Sequence, residues 1–214
     1  MEESTIKLIR YPQYEKLLGK QQSLELFAFF DRIEGGEYNK NVTITLNVAG
    51  LIHPVTLRCI RADMQSFVNT FIDPYLEKKP YLSHAEFVID GGANIGLTAA
   101  LFASWWPNAI IVSIEPDKEN YELTLKNIAG YKNVHAIHAG LWNKNTMLKI
   151  EAGQEDGFVV KEIKKGDTTV LQENISEGVS VSYLLQKFAK SHIDFFKLNV
   201  EGSEKEIFEE GYES

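Results

Sequence analysis

Cysteine is nearly absent. Cys59 is the only one in 214 residues, so no disulfide can form within the chain, and a reducing, cytoplasmic setting is the natural expectation. Cys59 lies in an apolar run and reads as core rather than nucleophile. Long hydrophobic runs are missing too. Nothing approaches the roughly 20 apolar residues of a membrane span, and the acidic start Met1-Glu2-Glu3-Ser4 leads into no signal-peptide-like core, so no membrane partner is expected. Basic residues are outnumbered, 22 against 30 acidic, for a formal net charge of -8 without a basic cluster. That balance argues against a nonspecific nucleic-acid surface. Repeats and low-complexity tracts are absent as well.

What remains is material for an ordinary core, since 44% of the residues are hydrophobic. One stretch organises it: Phe87-Val88-Ile89-Asp90-Gly91-Gly92-Ala93-Asn94-Ile95-Gly96, apolar residues running into a glycine turn and then a helix-like segment, residues 97–106. This is the pattern of a buried strand, a tight turn and a helix start, where free N–H groups and the helix dipole meet a ligand's polar end. Against the dinucleotide pattern G-x-G-x-x-G, Gly91 and Gly96 fit, but Ala93 takes the middle place at which a pyrophosphate needs glycine. A second apolar run, residues 109–114, ends at Glu115-Pro116-Asp117. A carboxylate about twenty residues after the glycine turn is placed to accept both ribose hydroxyls in a doubly wound sheet. Pro116 ends the strand, and Asp117 caps the next helix.

Taken in order, residues 14–33 predict an amphipathic helix with Leu17, Leu18, Leu24, Leu26, Phe27 and Phe30 on one stripe, broken near Gly19. Such a helix either packs on the core or serves as a substrate lid. Two alternating runs, 41–48 and 55–60, predict a β-hairpin, and Asp63 a helix cap. Lys78-Lys79-Pro80 reads as a linker, which gives an N-terminal extension, residues 1–80, and a core, residues 81–214. In the core, strand and helix alternate through 117–128 and 133–138, as in a parallel sheet with right-handed crossovers. His138 reads as a strand-end histidine with a lesser case for catalysis, and Gly140 and Leu141 as the floor under an adenine. Residues 147–151 and 158–163 predict a hairpin excursion. Ser180-Val181-Ser182 precedes a helix over 183–190. The run 193–200 is a buried strand whose polar end carries Asn199 and, two residues on, Glu201; Lys197 reads as a salt-bridge residue.

The chain resembles the FkbM family of S-adenosylmethionine-dependent methyltransferases, through Val88 to Gly96, through Ile114-Glu115-Pro116-Asp117 with Asn120 and Asn127, and through Phe196-Lys197-Leu198-Asn199-Val200-Glu201-Gly202-Ser203-Glu204. The resemblance implies a Rossmann-like class I methyltransferase sheet with helices on both faces, with S-adenosylmethionine held by Asp90, Gly91, Gly92, Ala93, Asn94, Gly96, Glu115, Pro116, Gly140 and Leu141. It also implies O-methylation of a hydroxyl on a sugar, polyketide or other secondary-metabolite or glycan precursor, with Glu201 and Asn199 as catalytic candidates. The family usually has valine or isoleucine at the place of Gly92 and aspartate at the place of Asn199. With one carboxylate instead of two, a metal site is weakened and no metal is expected. A non-catalytic cofactor-binding protein of the same fold and, further off, an NAD-dependent oxidoreductase are the alternatives. Methyltransferases of this fold continue beyond the fourth strand, whereas about a dozen residues follow Glu201. The expected strand order 3-2-1-4 therefore leaves residues 193–200 on an open edge. A homo-oligomer, the N-terminal hairpin, or the missing end of a longer protein would cover it.

Overall fold

A computed structural model describes residues 3–72, 83–152, 158–163, 174–200 and 203–209. The chain divides into two compact units, Met1–Lys78 and Lys79–Ser214.

In the first unit, α1 (Glu3–Glu34) is two helical arms merged across Gly19, whose backbone is non-helical (φ 73°, ψ 163°). Phe27 of the second arm meets Tyr11 and Tyr14 of the first at ring-centre distances of 5.7 and 4.8 Å. The break resets the helical phase, so the buried stripe beyond it is Ser23, Leu26, Phe29, Phe30 and Ile33. Leu24, expected on that stripe, is 49% exposed for this reason. Strands β1 (Asn39–Leu46) and β2 (Val55–Cys59) form the expected antiparallel hairpin, with Leu46 opposite Val55. Cys59 is buried and its thiol donates to the Glu37 carbonyl. Helix α2 (Arg61–Phe67) runs on into a π-helical turn, Val68–Ile72. Asp63 does not cap it. Its carboxylate lies in the first turn and turns back to Arg58, accepting from Nη2 at 2.8 Å, Nε at 3.0 Å and the backbone N–H at 2.7 Å. A buried guanidinium needs such a partner more than the helix end needs a cap.

The second unit opens with β3 (Phe87–Gly91), α3 (Leu97–Trp105), β4 (Ile110–Glu115), α4 (Lys118–Ile128) and β5 (Val134–His138). A second group follows: β6 (Gly140–Trp142), β7 (Thr146–Ala152), β8 (Phe158–Glu162) and β9 (Ile175–Ser180). Then come α5 (Val181–Lys187), β10 (Phe195–Leu198) and α6 (Glu204–Glu209). One sheet, in the order β10-β3-β4-β5, is parallel throughout. Among the described residues β10 pairs on one side only, as the order 3-2-1-4 requires. On one face Phe87, Ile89, Val112 and Ile114 cluster with Leu184 of α5 and Ile207 of α6. On the other, Phe102 of α3 and the adjacent Trp106 meet Phe195, at 5.2 and 5.6 Å between rings. Each such apolar side chain contributes about 1.5–3 kcal/mol by leaving water. Asp194 pins β10 to its neighbour, its carboxylate accepting the N–H groups of Glu86 and Phe87 at 2.8 and 2.9 Å.

The excursion is larger than a hairpin. Strands β7 and β8 pair antiparallel as expected, but β9 adds antiparallel to β7, and β6 lies parallel to β9, giving a four-stranded sheet in the order β6-β9-β7-β8. Leu148 of β7 is its fully buried centre, packed with Trp142 and Val160. Helix α5 begins at Val181 rather than at residue 183, because the Ser180 hydroxyl caps it by accepting the Tyr183 N–H at 3.2 Å. Lys78, Lys79, Pro80, Glu201 and Gly202, named above in the linker and in the last family block, lie outside the described residues.

Candidate functional site

The carboxyl ends of β3, β4 and β10 converge on the turn after Gly91. Gly92 has φ 72°, and a Cβ there would fall on the Asn199 backbone oxygen, so nothing but glycine fits. Gly91 has no such restriction: a Cβ would come 3.0 Å from Leu141 Cδ2 and 3.3 Å from Leu198 Cδ1, both ends of flexible side chains. Of the two adjacent glycines, Gly92 is therefore the one that the backbone itself requires, and Gly91 the one whose neighbours could give way. Gly96 caps α3 with φ 78°, and its missing Cβ would stand 2.9 Å from Thr124 Cγ2 and 3.1 Å from Thr124 Cα. Here the close approach is between α3 and α4.

The turn is tied down from two sides. The N–H groups of Gly92 and Ala93 both donate to the Ile114 carbonyl, at 3.1 and 2.9 Å, and the N–H of Asn94 donates to Glu115 Oε2 at 2.7 Å. From α4, Thr124 Oγ1 donates to the Asn94 carbonyl at 2.7 Å and Asn127 Nδ2 to the Ile95 carbonyl at 2.8 Å. Asn94 itself is left-handed, φ 51°, a conformation that asparagine tolerates better than most residues. The expectation of free turn N–H groups facing a ligand thus fails at residues 92, 93 and 94. The end of β4 has taken them.

Glu115 is buried beneath this turn, its second oxygen accepting the Asp117 N–H at 2.9 Å. Burial pushes its carboxyl up to about 8, against the pull of those two backbone donors and of Lys197. Asp117 caps α4 as expected, accepting the Asn120 N–H at 2.9 Å. The Pro116 carbonyl accepts from His138 Nε2 at 3.0 Å, and the His138 ring stacks on Tyr121 at 5.0 Å. Both ring contacts account for His138 structurally.

One register row below, Lys197, Asp90 and Ser113 stand side by side on β10, β3 and β4, all buried. Lys197 Nζ is 3.0 Å from Asp90 Oδ1, but off the hydrogen-bonding direction, so neither Asp90 oxygen receives a hydrogen bond among the described residues. The same ammonium donates to the Gly92 carbonyl at 2.7 Å and to that of Gly91 at 3.3 Å. A lysine inside an apolar strand was the sequence signal for this row. Its partners were not readable, because they depend on the register between strands more than a hundred residues apart.

Asn199 is exposed at the end of β10, its N–H donating to the Gly91 carbonyl at 3.0 Å. It borders the turn through its backbone and presents its amide outward. Glu201, two residues on, lies outside the described residues. Gly140 and Leu141, expected to pack against an adenine, are strand residues. They belong to β6, where the Leu141 side chain is 2% exposed in the central core and a Cβ on Gly140 would meet Leu148 Cδ1 at 2.6 Å. Among the described residues no three His, Cys, Asp or Glu side chains gather as metal ligands, and no described helix is long and apolar enough to cross a membrane.

The model of the methyltransferase FkbM domain family matches residues 90–214. Among solved structures, the crystal structure of methyltransferase FkbM from Methylobacillus flagellatus KT is similar at 17% identity, with a TM-score of 0.40, over 62% of this chain and 31% of that one. This chain therefore spans less than a third of the solved protein's length. No curated protein gives a significant match.

Proposed function

The chain belongs to the methyltransferase FkbM domain family, and from that premise we propose that it moves a methyl group from S-adenosylmethionine to a hydroxyl oxygen of a small-molecule or glycan acceptor, of the sugar or polyketide kind. The observation that carries the choice of cofactor is the fate of the turn's N–H groups. A dinucleotide site cradles pyrophosphate on free backbone donors. Here the donors at Gly92, Ala93 and Asn94 are spent on Ile114 and Glu115, and the charged groups next to the turn include two carboxylates, Asp90 and Glu115. Asp90 is buried with no hydrogen-bond donor on either oxygen among the described residues, and Glu115, also buried, accepts one backbone N–H on each oxygen, from Asn94 and Asp117. A ligand rich in cationic and hydroxyl donors suits that set. A pyrophosphate does not.

Glu115 would accept the ribose hydroxyls, Asp90 would face the cationic methionine end, and Gly91, Gly92, Ala93, Asn94, Gly96 and Pro116 would supply the close-fitting backbone. When bound, S-adenosylmethionine supplies a methyl group already activated on a sulfonium. What the chain adds is alignment, a contribution of roughly 7–11 kcal/mol in well-oriented systems. Asn199 holds the acceptor at the open end of β10, and Glu201 takes the hydroxyl proton as the oxygen takes the methyl. Gly140 and Leu141 contribute by shaping the wall, Leu141 filling the space that a side chain at position 91 would otherwise take.

The test is transfer from methyl-labelled S-adenosylmethionine to a panel of sugars, glycans and polyketide alcohols, with the product's linkage identified by NMR. Label on oxygen is the expected outcome, unaffected by chelators. Label on nitrogen or carbon would contradict the acceptor class, and chelator-sensitive activity restored by magnesium would contradict the metal-free reading.

A further inference from the structure

Lys197 is the one described cation that reaches the turn from beneath. It is 7% exposed and beside a carboxylate that is fully buried, so the pair is costly to assemble. Replacing such a pair by packed apolar side chains is commonly neutral or stabilising, so stability alone is a poor reason for its presence. Its geometry offers another. The ammonium spends its hydrogen bonds on backbone, the carbonyls of Gly92 and Gly91, and not on Asp90, to which it contributes charge alone. Gly92 is the residue whose left-handed backbone brings it against Asn199, and Lys197 sits two residues before Asn199 on the same strand. One side chain thus ties the floor of the donor turn to the strand that carries the acceptor side. The main-chain bond from the Asn199 N–H to the Gly91 carbonyl closes the same link from the other end.

We propose that Lys197 is a positioning residue: its ammonium clamps the carbonyls of Gly91 and Gly92 and thereby fixes the turn that holds the methyl donor relative to Asn199. The clamp rests on the reading of this turn as the donor site, but its first consequence exists in the free protein. Without it the turn keeps its N–H bonds to Ile114 and Glu115 but is tied to β10 by the Asn199 main-chain bond without the side-chain clamp, so those N–H groups open more often.

The experiment compares wild type, Lys197→Met and Lys197→Arg at pH 6. It measures thermal melting, amide hydrogen exchange at Gly92, Ala93 and Asn94 in the free protein, and calorimetric affinity for S-adenosylmethionine. A folded Lys197→Met should exchange those three amides at least tenfold faster, with β4 amides unchanged, and bind S-adenosylmethionine at least tenfold more weakly. Lys197→Arg, which keeps both charge and donors, should recover most of each loss. If Lys197→Met does not fold, the double variant Lys197→Met, Asp90→Asn, which removes the donor without leaving a lone buried charge, takes its place, with turn exchange as the deciding reading. A folded variant with unchanged exchange at the turn overturns the clamp and leaves Lys197 a structural ion pair. A wild-type protein that binds no S-adenosylmethionine overturns the donor reading instead, and the exchange measurement then decides the clamp alone.

Discussion

Gly91 and Gly92 are adjacent in the chain and face opposite constraints. Gly92→Ala combines a left-handed backbone with a collision against the Asn199 carbonyl, so it should cost more than about 2 kcal/mol, read as a drop in melting temperature. Gly91→Ala pushes only on the ends of Leu141 and Leu198 and should stay within about 1 kcal/mol of wild type. Equal effects would refute the assignment of roles. Glu115 gives a pH prediction. Between its ordinary value of 4.5 and its buried value of about 8, the folded protein holds a proton that the unfolded chain has released, so this group makes stability fall as pH rises across that window. Ribose hydroxyls favour the ionised carboxylate. Affinity for S-adenosylmethionine should therefore rise about tenfold per pH unit below 8 and level off above it, with proton release visible in calorimetry across buffers. A flat profile from pH 6 to 9 would contradict it. Glu115 was legible because spacing along the chain locates it. Which of its lone pairs are spent was not, since that depends on how the turn folds back onto β4.

At the scale of elements, the parallel core was readable from the alternation of apolar runs with amphipathic helices, whose periods are local. The second sheet was half readable. Strands β7 and β8 alternate strongly and adjoin in sequence. Strands β6 and β9 do not announce themselves: Gly140-Leu141-Trp142 is three residues long, and Ile175-Ser176-Glu177-Gly178-Val179-Ser180 is weak in strand formers, so only their pairing makes them strands. Both lean on Leu148, whose Cδ1 would touch a Cβ at Gly140 or Gly178. Leu148→Ala should cost about 2–5 kcal/mol and loosen this sheet first. Melting without loss of stability would show that the sheet packs otherwise. For β10 the anchor is Asp194. Burial pushes its carboxyl up, but the N–H groups of Glu86 and Phe87, helped by His192, outweigh that and hold it below its ordinary 3.8. The stability it contributes is present above that value and is lost as pH falls through the lower folded one. Asp194→Ala should thus destabilise by about 1–3 kcal/mol at pH 7, with amides of β10 exchanging first.

For the whole molecule, the proposal is that the methyl donor is S-adenosylmethionine and not a dinucleotide, and that Glu115 holds it. Both statements meet in one titration. Isothermal calorimetry at pH 8 with S-adenosylmethionine and, separately, NAD, using wild type and Glu115→Ala, tests the account most directly. Saturable heat from S-adenosylmethionine, at least tenfold weaker in a folded Glu115→Ala, and none from NAD is the result expected. Binding of NAD, or no response to S-adenosylmethionine, would contradict it.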